Sequence, residues 1–185
     1  MDFVTQYFEA TTEDRVDLIF NNYVNFLEII AAYMQEIIYH INEEIDAKRT
    51  NEYLTGARIN TGVVSDPTYR KAVQEISIED AVMTGRFDGD ILDETDNKAA
   101  YIRRSYFLRK MKRDYEVVAN KINALKPQDK DYLLPILLKE KTIHEVAIEC
   151  HVEYGTIATR ICRLKAYVRK NVCVTCDREV SWLQK

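Results

Sequence analysis

Apolar residues recur at alternating steps of three and four along two long stretches of the chain, and this spacing constrains the fold more than any other feature. The stretches cover residues 16–41 and 108–125. Such alternation places the apolar side chains on one face of an α-helix and forms a heptad seam. The first seam holds Val16, Phe20, Tyr23, Leu27, Ile30, Met34, Ile37 and Ile41, and the second holds Leu108, Met111, Tyr115, Val118, Ile122 and Leu125. We predict an all-α chain with a long-helix N-terminal bundle in which these seams pack together.

The first long helix is predicted to begin at Thr11 or Thr12 and to continue to about Lys48. Glu13 and Asp14 would lie in its first turn, where the helix dipole favours negative charge. The spacing leaves open whether the seam packs against its own chain or against a second copy. A homodimer through the N-terminal helices is therefore one expected assembly.

The composition agrees with long helices and few turns, because the 185 residues include only five glycines and three prolines. No apolar stretch reaches the roughly 18 residues of a membrane-spanning helix, so we expect no contact with a membrane. The N-terminus, MDFVTQYFEATTED, is acidic and lacks the basic and apolar segments of a signal peptide. We expect a cytoplasmic protein.

The two halves of the chain carry opposite charge. Residues 1–96 contain 7 Lys and Arg against 20 Asp and Glu, a net charge of −13. Residues 97–185 contain 19 Lys and Arg against 10 Asp and Glu, a net charge of +9. A basic half of this kind is the electrostatic footprint of nucleic-acid binding. The acidic half would be repelled by phosphate, so we expect it to face away from DNA.

Residues 142–165 have the spacing of a helix-turn-helix. Thr142 can cap a short first helix, and the apolar Val152 can fill the turn. The inner face of the first helix would hold Ile143, Val146, Ala147 and Cys150, and that of the second Ile157, Ile161 and Leu164. Two unrelated amphipathic helices joined by a tight turn would share part of this pattern. The combination with a small Ala147 and a basic outer face favours the DNA-binding motif.

The outward positions of the second helix are small, hydroxylated or basic, as a helix entering the major groove requires. Arg160 and Arg163 are the expected readers of base edges, and the basic residues that follow are expected to contact phosphate. The basic cluster at 109–113 is either a solvated face or a further phosphate contact. The candidate DNA-binding residues are Thr142, Tyr154, Gly155, Thr156, Thr159, Arg160, Arg163, Lys165, Arg169 and Lys170.

The sequence contains no recognisable catalytic or cofactor-binding pattern. His144 is followed by Ile148 at the position where a zinc-protease helix needs its second histidine. The glycines form neither a phosphate loop nor a dinucleotide fingerprint, so we expect a protein that is not an enzyme and binds no cofactor. Cys173 and Cys176 form a single C-x-x-C pair, whereas a structural zinc site needs four ligands. We expect an ordinary tail there, with a zinc site or a regulatory thiol pair as the alternative.

The remaining cysteines and the breaks in periodicity complete the predicted organisation. Cys150 and Cys162 are expected to be small core residues. The loop at 50–66 and the acidic linker at 85–97 are expected to separate helices. The predicted segments are an acidic helical N-terminal domain at 1–96, a long basic helix at 97–125, a helix-turn-helix domain at 126–171 and a tail at 172–185.

The stretch from Leu125 to Arg169 resembles region four of bacterial sigma factors, the part that reads a promoter element. The likeness lies in L-K-P at 125–127, Y-L-L at 132–134, E-V-A at 145–147 and G-T-I-A-T-R-I-C-R-L at 155–164. The whole chain resembles phage or prophage late transcriptional regulators of the ArpU/RinA type, which have a helical N-terminal part and a sigma-like helix-turn-helix. The segment R-I-N-T-G-V-V-S-D-P-T-Y at 58–69 is also similar, whereas the extension at 172–185 departs from that pattern.

This resemblance implies binding to double-stranded promoter DNA and contact with RNA polymerase. We therefore expect a sequence-specific transcriptional regulator, of the phage late-gene activator type. The alternative is a small terminase-like subunit that recognises DNA for phage packaging. Such subunits usually carry the motif near the N-terminus and assemble into rings, whereas here the motif is C-terminal.

Overall fold

The chain is built from α-helices. The computed structural model describes residues 3–54, 67–87 and 91–183, with residues 52–53, 67–72 and 177–183 described by their backbone only. Within these ranges no strand forms, which confirms the all-α prediction. No helix there is long and apolar enough to cross a membrane. The helices are α1 (Phe3–Glu9), α2 (Thr12–Asn21), α3 (Phe26–Leu54), α4 (Pro67–Thr84), α5 (Lys98–Asn123), α6 (Pro127–Leu137), α7 (Ile143–Glu149) and α8 (Tyr154–Leu183).

Contacts divide the chain into two compact units. The first consists of Met1–Glu28 together with Lys112–Lys185, and the second is Ile29–Met111. The helices α3 and α5 each contribute residues to both units. Because the two predicted seams also fall in both units, a single N-terminal bundle followed by a helix-turn-helix domain stays a prediction.

The first predicted long helix is in fact two helices, so the prediction of one helix to Lys48 was wrong. The N-cap is as expected, since the Thr11 side chain accepts a hydrogen bond from the Asp14 N–H at 3.2 Å. The helix stops at Asn21, and Asn22 caps its end, because its Nδ2 donates to the Leu18 carbonyl oxygen at 2.9 Å. The Asn22 N–H also donates to the Leu18 and Ile19 carbonyl oxygens at 3.2 Å, which tightens the last turn as at many helix ends.

Just after the break, the buried position differs from the predicted one. In the first turn of α3 Phe26 is fully buried, whereas Leu27, predicted to lie in the seam, is 51% exposed. The later seam positions of α3 are buried as predicted, at Ile30, Ile37 and Ile41. Phe26 stacks on Tyr115 with ring centroids 5.6 Å apart and planes at 6°. It also lies 5.7 Å from the Tyr7 ring of α1, a helix that the periodicity did not predict. This aromatic cluster is the N-terminal part of the first unit's core.

A buried polar group anchors α1 and α2 to α5. The Tyr7 hydroxyl donates to Asp114 Oδ2 at 2.9 Å, and Arg15 Nε lies 3.2 Å from the same oxygen. Burial, reinforced by the Asp114 carboxylate, raises the pKa of Tyr7 above its ordinary value. The phenol therefore stays a hydrogen-bond donor at physiological pH.

The second unit joins α4 to α5 through polar contacts at the end of α4. Ser105 Oγ donates to the Val82 carbonyl at 2.7 Å, and Arg109 Nη1 donates to the Thr84 carbonyl at 3.2 Å. Gly85 has a φ of 73°, the left-handed conformation that residues with a side chain rarely adopt, and the Arg109 guanidinium lies where a Cβ would be. The backbone conformation therefore favours glycine at this position, and a side chain there would also displace the Arg109 guanidinium.

Two connections predicted from the sequence differ in the structure. The helix α3 continues through Leu54 into the predicted loop, and residues 55–66 lie outside the described residues. In the predicted acidic linker, Leu92 and Thr95 are buried, whereas Asp93, Asp96 and Asn97 are exposed, so residues 91–97 are solvated only in part. Residues 88–90 lie outside the described part of the chain.

Candidate nucleic-acid interface

The first helix of the predicted motif, α7, begins with a capping box. The Thr142 side chain accepts from the Glu145 N–H at 3.3 Å, and the Glu145 carboxylate accepts from the Thr142 N–H at 2.7 Å. Two backbone donors at the helix start are thus satisfied reciprocally. Thr142 is exposed at this position.

We expect the capping box to make stability depend on pH in acid. Hydrogen bonds from Thr142 lower the pKa of Glu145 below its ordinary 4.5. Because the folded-state pKa is the lower one, the stabilisation is fully present above pH 4.5 and is lost as pH falls through the folded-state value. In urea unfolding, the wild type should exceed Glu145→Gln in stability at neutral pH, and this difference should shrink below pH 4.5. Thr142→Ser, which keeps the hydroxyl, is the control, and a difference independent of pH would contradict the prediction.

The turn between α7 and α8 is closed by backbone hydrogen bonds. The His151 N–H donates to the Ile148 carbonyl at 3.1 Å, and the Val152 N–H donates to the Ala147 carbonyl at 3.0 Å. His151 adopts a φ of 53°, the left-handed conformation that this helix ending requires. Histidine is among the few residue types that tolerate it. The turn fixes the direction in which α8 leaves α7.

The helix α8 has two distinct faces in its first half. Ile157, Ile161 and Leu164 are buried, as predicted, and α8 packs against both α6 and α7. The opposite stripe of exposed residues consists of Thr156, Thr159, Arg163, Ala166 and Lys170. A shallow groove on this side is lined by Glu153, Gly155, Thr156, Thr159, Arg160 and Arg163. Tyr154, at the start of α8, is 53% exposed beside the groove.

Most predicted base-contacting residues are thus together on one accessible surface. Gly155 is exposed, and a Cβ added there would meet no atom within 4 Å. Packing within the chain therefore gives no reason for glycine at this position. Among the described residues, Arg163 and Lys170 form no ion pair or hydrogen bond through their side chains. These cations are available to an external anion.

Arg160 has an internal partner that the sequence did not reveal. Its Nε and Nη2 donate to Asp129 Oδ1 at 2.9 and 2.7 Å. The Asp129 side chain, in the first turn of α6, is 10% exposed, whereas that of Arg160 is 50% exposed. The 31 intervening residues give no periodic signal that could have linked the two side chains.

Two predicted phosphate-contacting residues face α2 instead. Arg169 Nε donates to Asp17 Oδ1 at 3.1 Å, and the Lys165 ammonium lies 5.7 Å from the centroid of the Phe20 ring. Both residues are half-buried where α2 packs against α8. A segment of the acidic N-terminal half, which we expected to face away from DNA, therefore contacts the helix that carries the predicted DNA-binding residues.

The cysteines differ from the expectation in part. Cys162 is exposed, so it is not the core residue that its position predicted, whereas Cys150 is half-buried. The helix α8 does not end near residue 171 but continues to Leu183, so Cys173 and Cys176 lie within it. In the part of the chain that the structure describes, no three potential ligands cluster as a metal site would require.

Part of the predicted basic cluster on α5 is bound to other residues of the chain. Arg109 binds the end of α4 within the second unit, as described above, and Lys110 is half-buried there. Lys112 and Arg113 are exposed in the first unit. Arg109 therefore does not support the prediction that residues 109–113 form a single phosphate-contacting face.

No protein-family model matches the chain, and comparisons with curated proteins and with solved structures find no similar protein. The resemblance to sigma region four and to regulators of the ArpU/RinA type therefore rests on the residues quoted for it.

Proposed function

We propose that the chain is a sequence-specific DNA-binding protein that regulates transcription and has no catalytic activity. It inserts the first half of α8 into the major groove of double-stranded DNA, with Arg160 and Arg163 facing the base edges. Thr142, Tyr154, Thr156 and Thr159 contact the DNA beside them. The protein acts in the cytoplasm on promoter DNA.

The observation that carries the proposal is the exposed groove of α8, which begins at a tightly closed turn. Helix-turn-helix proteins contact bases chiefly through the first turns of their second helix. Here that part is open and carries Arg163, which is unpaired among the described residues, whereas the later part is packed on α2. The exposed Gly155 supports the same orientation, because a residue without a side chain lets a ligand's backbone approach the helix closely.

The sigma-like residues support a role at promoters. RNA polymerase is the protein partner proposed on that resemblance, and a homodimer through the N-terminal helices is the proposed assembly. Selection from a pool of random duplexes, using the full chain, tests the central proposal. We expect a defined sequence to be enriched and to confer regulation on a reporter promoter. Recovery of random sequences after several rounds would overturn sequence-specific binding.

The salt dependence of DNA binding should distinguish a cation that contacts phosphate from a cation that is paired within the chain. Each phosphate contact contributes about 0.9 to the slope of log affinity against log salt. Lys170→Ala should flatten this slope by about one unit, because Lys170 is exposed and unpaired among the described residues. Arg169→Ala, the matched control, should leave the slope unchanged because Arg169 is bound to Asp17. Equal flattening by both variants would mean that the Arg169–Asp17 pair opens on DNA.

A further inference from the structure

Among the described residues, Asp129 is the buried carboxylate that contacts the proposed DNA-reading surface. It lies in the first turn of α6, two residues after Pro127, where the dipole of the helix favours a negative charge. Its Oδ1 accepts both hydrogen bonds from Arg160, and its side chain is only 10% exposed. Asp129 is therefore held in place by its own helix, whereas Arg160 extends from it towards solvent.

The geometry leaves one edge of the Arg160 guanidinium open. An arginine has five N–H donors in a planar fork. The edge formed by Nε and Nη2 is occupied by Asp129, and the remaining donors, on Nη1 and Nη2, are not bound to any described residue. Two parallel donors of this kind match the O6 and N7 acceptors of guanine in the major groove.

We propose that Asp129 is a positioning residue that presents the free edge of Arg160 to a guanine base. This inference rests on the proposed function, and it adds a mechanism by which one base pair is recognised. A free arginine side chain must lose rotamer freedom when it binds, which weakens the contact. Asp129 imposes much of that order before DNA arrives, and it fixes the plane in which the guanidinium can donate.

The charge of Asp129 predicts opposite effects on specific and random DNA. A carboxylate close to the interface repels phosphate, so its removal should leave affinity for random duplexes unchanged or raised. The same removal should free Arg160 to adopt other rotamers and so reduce discrimination between bases. A residue that merely holds the fold together would instead lower affinity for every duplex.

The experiment measures discrimination at single base pairs with the full chain. Arg160→Ala and Arg163→Ala first identify, on the selected duplex, the base pair that depends on each arginine. Asp129→Ala should then reduce discrimination at the Arg160 base pair about 2- to 12-fold, the range expected for one newly mobile side chain. Asp129→Asn keeps the acceptor oxygen and should lose less. Discrimination at the Arg163 base pair is the internal control and should not change.

A double variant distinguishes a positioning role of Asp129 from a role in folding. In the Arg160→Ala background, Asp129→Ala should cause no further loss at the Arg160 base pair, because the group that it positions is gone. A uniform loss at all base pairs with a lowered melting temperature in both Asp129 variants would overturn the inference. So would unchanged discrimination at the Arg160 base pair in a folded variant. A wild-type chain that prefers no base pair would instead overturn the proposed function itself, and this inference with it.

Discussion

Arg163→Ala is expected to weaken binding of the selected DNA sequence about 5- to 150-fold, the loss that corresponds to one bidentate arginine–guanine contact. Arg163 is the unpaired arginine of the exposed groove, so its loss disturbs no ion pair among the described residues. Arg160→Ala should fall in the same range, but it also frees Asp129. Arg163 therefore gives the cleaner measurement of base recognition.

The neighbouring Cys162→Ala is the matched control, since it truncates an exposed residue of the same helix turn. It should leave affinity within a factor of two or so, as expected for a surface substitution away from special features. Affinity can be measured by fluorescence anisotropy on the selected duplex and on a scrambled one. If Arg163→Ala lost affinity equally on both duplexes, Arg163 would be a phosphate contact and not a reader of sequence.

Phe26→Ala should destabilise the chain by about 3–5 kcal/mol, the usual cost of deleting a buried phenylalanine side chain. Phe26 is fully buried between Tyr7 and Tyr115, so its removal leaves a cavity that these rings cannot easily fill. The adjacent Leu27→Ala should change stability by no more than about 0.5 kcal/mol, because Leu27 is 51% exposed. Urea unfolding followed by circular dichroism measures both variants.

This pair of variants also tests the break between α2 and α3. The uninterrupted heptad seam predicts that Leu27 is the buried residue at this point. If Leu27→Ala were as destabilising as Phe26→Ala, the helix would have to continue through residues 22–25 in the predicted phase. A large effect at Phe26 alone is the result expected from the structure.

The periodic pattern predicted the helices well where their phase is set locally. Capping residues and apolar spacing alone predicted the N-cap of α2 at Thr11, most of α5, and the order of helix α7, a turn and helix α8. The break at residues 22–25 could not be predicted, because the apolar spacing of the seam continues through it without interruption. Just after the break Phe26 is buried and Leu27 is exposed, whereas the later seam positions are buried as predicted, at Ile30, Ile37 and Ile41.

The candidate interface, like the helices, could be predicted from the sequence only in part. Residue type and spacing placed Thr156, Thr159 and Arg163 on an outward face, since the turn of a helix fixes which residues share a side. Spacing cannot tell which cations on that helix are free, because partners come from distant segments. Asp129 binds Arg160 across 31 positions and Asp17 binds Arg169 across 152.

The sequence by itself therefore determined the helical class and the outward stripe of α8, because both follow from interactions within a few residues. Only the tertiary structure decided which of the predicted cations are available. The acidic half was expected to face away from DNA, but its helix α2 packs against α8 and pairs Asp17 with Arg169. The physical reason is that an apolar helix face must be covered by some other element, and the covering element brings its own charges with it.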